Sequence, residues 1–193
     1  LRKNGLTKDG MRDIIEELYD GDAGYKKYVL GLVKQIDEDF IPELNTYINK
    51  EAERNAGVLT VDGNLIVDVS STIDKSDKSP TEVYMHEVIH AITKFAINSE
   101  ELDVFPIVNE LEHLRDEAAK IFTYKDFMPS KYLDKAEAEK AAQKRYDYIF
   151  NQPNSLHEFV AYGMTNPKVM NKLKRNKSRK PSQKGGSLFK WLA

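Results

Sequence analysis

Apolar residues recur every three to four positions along most of the chain, which is the pattern of amphipathic helices. Before Gly57 this spacing predicts helical segments, with a start or kink at Pro42: Met11–Tyr19, Tyr25–Ile41 and Leu44–Ala52. Towards the end of the chain it predicts four more helices, the first interrupted at Pro106: Glu100–Phe122, Lys131–Phe150, Ser155–Met164 and Pro167–Arg175.

One segment departs from the helical pattern. Two runs rich in β-branched and large apolar residues, Val58–Val61 and Leu65–Val69, flank the turn-forming residues Asp62, Gly63 and Asn64. We therefore predict a β-hairpin, which is the one strand pair that the pattern favours. The expected fold class is α+β, predominantly α, with a small β-hairpin or edge sheet.

A helix start follows the hairpin. Ser79 is the expected N-cap, Pro80 suits the first helical position, and Glu82 completes a capping box. The helix should run to about Asn98. It contains His86-Glu87-Val88-Ile89-His90, the H-E-x-x-H pattern, in which two imidazoles four residues apart project from one face and can chelate one ion.

This motif predicts a catalytic zinc site. His86 and His90 would be ligands, and Glu87, next to their face, is the expected general base, because zinc lowers the pKa of a water to about 7. Such a site needs a third protein ligand. Since Ala96 stands where a third histidine of the longer H-E-x-x-H-x-x-G-x-x-H pattern would lie, we expect a carboxylate.

Several residues compete for the third position. Glu158 is favoured because it is the lone acid of an apolar segment, although it also has capping-box spacing from Ser155. Glu110, in a charged helical face, lies 20 residues after His90 and is the competing carboxylate. The remaining alternatives are His157, expected as a neighbour of the site, and His113, expected on a helix surface.

Three segments together resemble zincin-like metallopeptidase domains embedded in large phage and mobile-element proteins. They are Ser79–Thr93, the strand Leu65–Val69 before it, and Asn154–Pro167. The chain is similar, more distantly, to lethal-factor-like gluzincins. This resemblance implies a zinc metalloprotease, with zinc (Zn2+) on the two motif histidines and Glu158. Its partner would be a protein or peptide substrate, the parent polypeptide being one candidate.

The resemblance also implies details of the site. Leu65–Val69 would lie beside the metal and pair with extended substrate. Related sequences commonly have an acid four residues after the ligand glutamate, where this chain has Tyr162, whose phenol can still form a hydrogen bond. Apart from the resemblance, peptide hydrolysis itself needs a hydrogen-bond donor to the oxyanion, for which the candidates are Tyr148 and Tyr146, with His157 as an alternative.

The composition of the chain excludes several kinds of site and several classes of protein. The absence of Cys excludes disulfides and thiolate zinc sites, and no apolar run approaches the roughly 20 residues that cross a bilayer, so no membrane partner is expected. Thr165–Ala193 contains nine Lys/Arg and no acid, which indicates a flexible tail or linker with weak nucleic-acid contact as an alternative role. Because the chain begins with Leu1, we expect a segment of a longer or processed chain.

The predicted organisation has three parts. Residues 1–56 form an N-terminal helical portion, 57–176 the zincin-like metallopeptidase core, and 177–193 a basic flexible tail. The predicted function is peptide-bond hydrolysis by zinc-activated water. The alternative is a catalytically weak or inactive zincin fold that serves as an assembly or interaction module of a larger phage or mobile-element protein, with a nucleic-acid-binding tail.

Overall fold

The computed structural model describes residues 2–18, 23–36, 38, 41, 44–49, 58–59, 64–68, 79–97, 105–129 and 134–176. Its strands are β1 (Arg2–Gly5), β2 (Asn45–Asn49), β3 (Val58–Leu59) and β4 (Asn64–Asp68). Its helices are α1 (Lys8–Leu18), α2 (Ala23–Gln35), α3 (Pro80–Ile97), α4 (Phe105–Ala119), α5 (Lys135–Phe150), α6 (Ser155–Thr165) and α7 (Pro167–Arg175). The fold class is α+β and mainly α, as predicted.

The chain divides into two compact units, Leu1–Ile92 and Thr93–Ala193. The first unit contains a four-stranded sheet of order β1-β2-β4-β3. Strand β1 is antiparallel to β2, β2 is parallel to β4, and β3 is antiparallel to β4. Val58 faces Ile66 and Leu59 faces Leu65, which confirms the predicted antiparallel strand pair. Of the predicted turn, Asp62 and Gly63 lie outside the described residues, and Asn64 is the first residue of β4.

Two expectations about the sheet are wrong. The predicted helical segment Leu44–Ala52 contains strand β2, because Thr46, Tyr47 and Ile48 are β-branched or aromatic and pair with strands on both sides. The hairpin is therefore not the one strand pair. In addition, the strand predicted at Leu65–Val69 does not lie at an edge, since β4 is between β2 and β3.

One apolar core joins the sheet and helices of the first unit. Strand β4 turns Leu65 and Val67 inward and leaves Ile66 37% exposed, which is the alternation of a half-buried strand. The helical residues of this core follow three-to-four spacing: Met11, Ile14, Ile15 and Leu18 of α1, and Val83, Tyr84, Val88 and Ala91 of α3. The Thr81 hydroxyl donates a buried hydrogen bond of 3.1 Å to the Leu18 carbonyl and ties α3 to the end of α1.

The second unit is built around an aromatic cluster. The ring of Phe150, on α5, lies 5.7 Å from that of Phe122 and 6.1 Å from that of Phe159 on α6, measured between centroids. Helix α7 adds the buried residues Val169, Met170 and Leu173. These contacts pack α5, α6 and α7 into one body and hold α6 in place.

The helix boundaries follow local capping. Helix α5 begins at Lys135 rather than Lys131 because the Asp134 carboxylate accepts hydrogen bonds from the backbone of Ala136 and Glu137. The helix predicted over Glu100–Phe122 is described from Phe105 to Ala119, with Pro106 in its first turn, where the missing N–H costs nothing; residues 100–104 lie outside the described residues. The helix predicted over Tyr25–Ile41 ends at Gln35.

The predicted helices at α6 and α7 are confirmed to within one residue. None of the described helices is both long and apolar enough to cross a membrane. The tail, 177–193, lies outside the described residues, and the division of the chain at residues 57 and 176 stays a prediction.

Candidate metal centre

Helix α3 begins where its capping signals place it. The Ser79 hydroxyl accepts a 3.1 Å hydrogen bond from the Glu82 backbone N–H, and the Ser79 carbonyl accepts one of 3.0 Å from the Val83 N–H. Pro80 is the first helical residue, and the helix ends at Ile97, one residue before the predicted end. This N-cap sets the helical phase of the two histidines that follow.

The two histidines of α3 are arranged as a chelate. Their Nε2 atoms lie 3.1 Å apart, and the His86 and His90 rings are nearly perpendicular, at 88°, with centroids 4.6 Å apart. Two nitrogens bound to one tetrahedral zinc at about 2.0 to 2.1 Å are about 3.3 Å apart, so the pair fits a shared ion without rearrangement. His86 is buried and His90 is half-buried.

Glu158 completes the group. Ligand atoms of His86, His90 and Glu158 all lie within 4.8 Å of one another, and among the described residues this is the one set of three or more such side chains that can hold a metal ion. Glu158 is 7% exposed. An ionised carboxylate is costly to bury unless a cation or hydrogen-bond donors compensate it, and two imidazoles with one carboxylate are a common catalytic zinc set.

The capping-box alternative for Glu158 is wrong. Helix α6 has Asn154 as its N-cap and begins at Ser155, which is therefore the first helical residue and not the cap. The Ser155 hydroxyl instead accepts a 3.2 Å hydrogen bond from Arg115 Nη1 on α4. Sequence reasoning missed this contact, since Arg115 is one of many charged residues on its helix and nothing in its spacing indicates a partner on α6.

The competing ligands are not part of the metal group. Glu110 is half-buried on α4 and is not a member of the His86, His90 and Glu158 group, which is the one metal-binding group among the described residues. His113 is half-buried rather than on the helix surface, and its Nε2 lies 3.5 Å from a carboxylate oxygen of Glu117, one turn along its own helix. His157 is half-buried on α6 beside Glu158.

The remaining predicted residues have distinct surroundings. Glu87 is half-buried on α3, next to His86. The Tyr146 hydroxyl donates to the Ala119 carbonyl at 3.2 Å, which gives it a structural role, whereas Tyr148 is 50% exposed on α5. Tyr162 is buried on α6, one turn after Glu158.

Tyr84 lies on the side of α3 that packs into the apolar core of the first unit. Burial raises the pKa of the Tyr84 phenol above its ordinary value of 10, so this side chain stays neutral at physiological pH.

Searches against models of known protein families, curated proteins and solved structures found no match to this chain.

Proposed function

We propose that this chain is a zincin-like zinc metallopeptidase in which His86, His90 and Glu158 hold the metal. The observation that carries the proposal is the grouping of their three ligand atoms within 4.8 Å. The donor set supports it, because two imidazoles and a carboxylate leave a position open for water or substrate on a four-coordinate zinc. The H-E-x-x-H motif, on a helix with a formed N-cap, supports it further.

A zinc ion bound there supplies Lewis-acid activation of water and of a peptide carbonyl. The chain's own part in the chemistry is proton transfer. Glu87, adjacent to a ligand histidine and half-buried, takes a proton from the attacking water on a carboxylate oxygen and passes it to the leaving amine nitrogen. Tyr148 is the proposed donor to the oxyanion, since the Tyr146 hydroxyl is held by the Ala119 carbonyl.

Substrate pairing needs a different strand from the one predicted. At Leu65 and Ile66, β4 is paired with β2 on one side and β3 on the other, so an extended peptide cannot add to it there. The outer strands of the described sheet are β1 and β3. We propose β3, which follows β4 in the sheet order, as the strand that pairs with substrate.

Metal content tests the ligand set. Wild type and the variants His90→Ala, Glu158→Ala and Glu110→Ala are purified without chelator, and zinc per chain is measured by elemental analysis. We expect one zinc per wild-type chain, loss in the first two variants and retention in Glu110→Ala, which removes a carboxylate of α4 outside the group. Retention in Glu158→Ala would contradict the proposed third ligand.

Peptide cleavage tests the activity. Zinc-loaded wild type and Glu87→Gln are incubated with an unfolded protein substrate, and the products are identified by mass spectrometry. Gln keeps the size of the side chain but cannot accept the proton, so we expect equal zinc content and a loss of cleavage of about a hundredfold or more. Equal cleavage by both proteins would refute the role of Glu87. A zinc-loaded wild type that cleaves nothing would favour the assembly-module alternative.

A further inference from the structure

A polar contact links α4 to the first turn of the helix that carries Glu158. Arg115 Nη1, on α4, donates a 3.2 Å hydrogen bond to the hydroxyl of Ser155, the first residue of α6. Ser155 is 1% exposed. A hydrogen bond from a charged donor to a buried hydroxyl is stronger than one between neutral groups, so this contact is suited to hold the start of α6 in place.

The guanidinium of Arg115 is oriented by its neighbour. Its Nε and Nη2 atoms both donate to Asp116 Oδ1, at 3.1 and 2.9 Å. These two bonds fix the plane of the fork and aim Nη1 at Ser155. An arginine held in this way loses little freedom when it forms its third bond, which distinguishes it from a flexible lysine.

The N-cap residue of α6 does not anchor the start of the helix with its own side chain. Asn154, the N-cap, makes no side-chain capping bond, and the Ser155 N–H donates to the Gln152 carbonyl at 2.9 Å. A helix N-terminus attracts anions rather than cations, so Arg115 is not placed here by the helix dipole. Its position is explained by the bond to Ser155.

Ser155 and Glu158 are three residues apart and therefore lie on neighbouring positions of one helical turn. A shift of the first turn of α6 moves the Glu158 carboxylate by a similar amount. Metal–ligand distances in protein sites lie within about 0.2 Å of standard values, so a displaced carboxylate is a poorer ligand. The contact to Arg115 thus acts on the group that must reach the metal.

We infer that Arg115 is a positioning residue of the metal centre, which acts through Ser155 to set the place of the Glu158 carboxylate. This inference rests on the proposed function, since it requires that Glu158 is a ligand. It predicts that loss of the bond weakens metal binding and alters the coordination geometry even when the protein is fully folded.

The test uses cobalt(II) as the probe, because its visible absorption reports coordination number and geometry. Metal-free wild type and variants are titrated with cobalt chloride at a temperature where circular dichroism shows each to be folded. Ser155→Val and Ser155→Thr form a matched pair of equal shape that differs only in the hydroxyl. Arg115→Ala is compared with Arg12→Ala, which removes an arginine that also pairs with an aspartate of its own helix.

Arg115→Ala and Ser155→Val should bind cobalt about tenfold to a hundredfold more weakly than wild type, with altered visible bands. Ser155→Thr should stay within about threefold of wild type, and Arg12→Ala should match it. Arg115→Ala and Ser155→Val each remove the same hydrogen bond, so their effects on cobalt affinity should not add. The double variant should therefore bind cobalt no more weakly than whichever single variant has the lower affinity. If Arg115→Ala does not fold, the comparison of Ser155→Val with Ser155→Thr still tests the role of the hydrogen bond.

Two failures are distinguishable. If wild type binds cobalt in a way that His90→Ala abolishes, but Ser155→Val and Arg115→Ala keep the wild-type affinity and spectrum, the positioning role is overturned and the proposed function stands. If wild type binds no cobalt, or binds it equally well without His90, the proposed function fails and the inference fails with it.

Discussion

The ion pair between Asp126 and Lys172 is expected to stabilise the second unit measurably. Lys172 Nζ lies 2.6 Å from Asp126 Oδ1, and Oδ2 accepts bonds from the Thr123 N–H at 2.7 Å and its hydroxyl at 3.2 Å. The ammonium also lies 4.8 Å from the centroid of the Phe122 ring. The pair joins the turn after α4 to α7, which packs on the helix that carries Glu158.

The magnitude follows from these contacts. In Asp126→Asn one side-chain oxygen remains, and it can serve either Thr123 or Lys172 but not both, so one charge-assisted hydrogen bond is lost. Both side chains are about 30% exposed (27% and 31%), and water screens part of the interaction. We expect Asp126→Asn to lower the free energy of unfolding by about 1 to 2 kcal/mol, and Asp126→Ala, which loses all three bonds, by about 2 to 3 kcal/mol.

The effect should depend on pH. Partial burial alone would raise the pKa of Asp126, but the hydrogen bonds from Lys172 and Thr123 and the Lys172 charge hold it below its ordinary value of 3.8. Because the folded-state pKa is the lower one, the stabilisation is fully present above the unfolded value and is lost as the pH falls through the folded value. The gap between wild type and Asp126→Asn should therefore persist at pH 5 and close below 3.8.

The assay is urea unfolding followed by circular dichroism from pH 7 to pH 2.5. Lys172→Met, alone and combined with Asp126→Asn, completes a double-mutant cycle that isolates the pair. A coupling energy below about 0.3 kcal/mol at pH 7, or a gap that stays constant down to pH 2.5, would refute the reasoning.

Three further predictions concern the framework and the metal. Thr81→Val should cost about 1 to 2 kcal/mol through the lost bond to the Leu18 carbonyl, and Thr81→Ser much less, in the same urea titration. Phe150→Ala should cost about 3 to 4 kcal/mol, and a loss below about 1 kcal/mol would contradict the aromatic packing. Chelation should lower the melting temperature of zinc-loaded wild type, whereas a His90→Ala protein that melts lower after chelation would argue against the site.

Features encoded by nearby residues could be predicted from the sequence. The N-cap at Ser79 and the histidine spacing four residues apart are local, so α3 and its chelating pair follow from a short stretch of chain. The same holds for α6 and α7, whose apolar spacing matches their buried faces. Glu158 could be favoured as a ligand because it is the lone acid in an apolar helix.

Features that depend on residues far apart in the chain could not be predicted from the sequence. Strand β2 has apolar spacing compatible with a helix, and its extended form depends on hydrogen bonds to β1 and β4, which precede and follow it by many residues. The hydrogen bond from Arg115 to Ser155 could not be predicted from the sequence either, since it joins two helices whose packing the apolar pattern does not specify.

The parallel pairing of β2 with β4 has a consequence for anyone who shortens this protein. A fragment that begins at residue 57 lacks β1 and β2, so the backbone groups of Asn64–Asp68 that pair with Asn45–Asn49 are left exposed along one side of β4. Such an uncovered row of amides and carbonyls is a template for aggregation with other chains. During synthesis on the ribosome it is β2 that is exposed. It emerges before β4, so the side of β2 that pairs with β4 stays uncovered until β4 has been made.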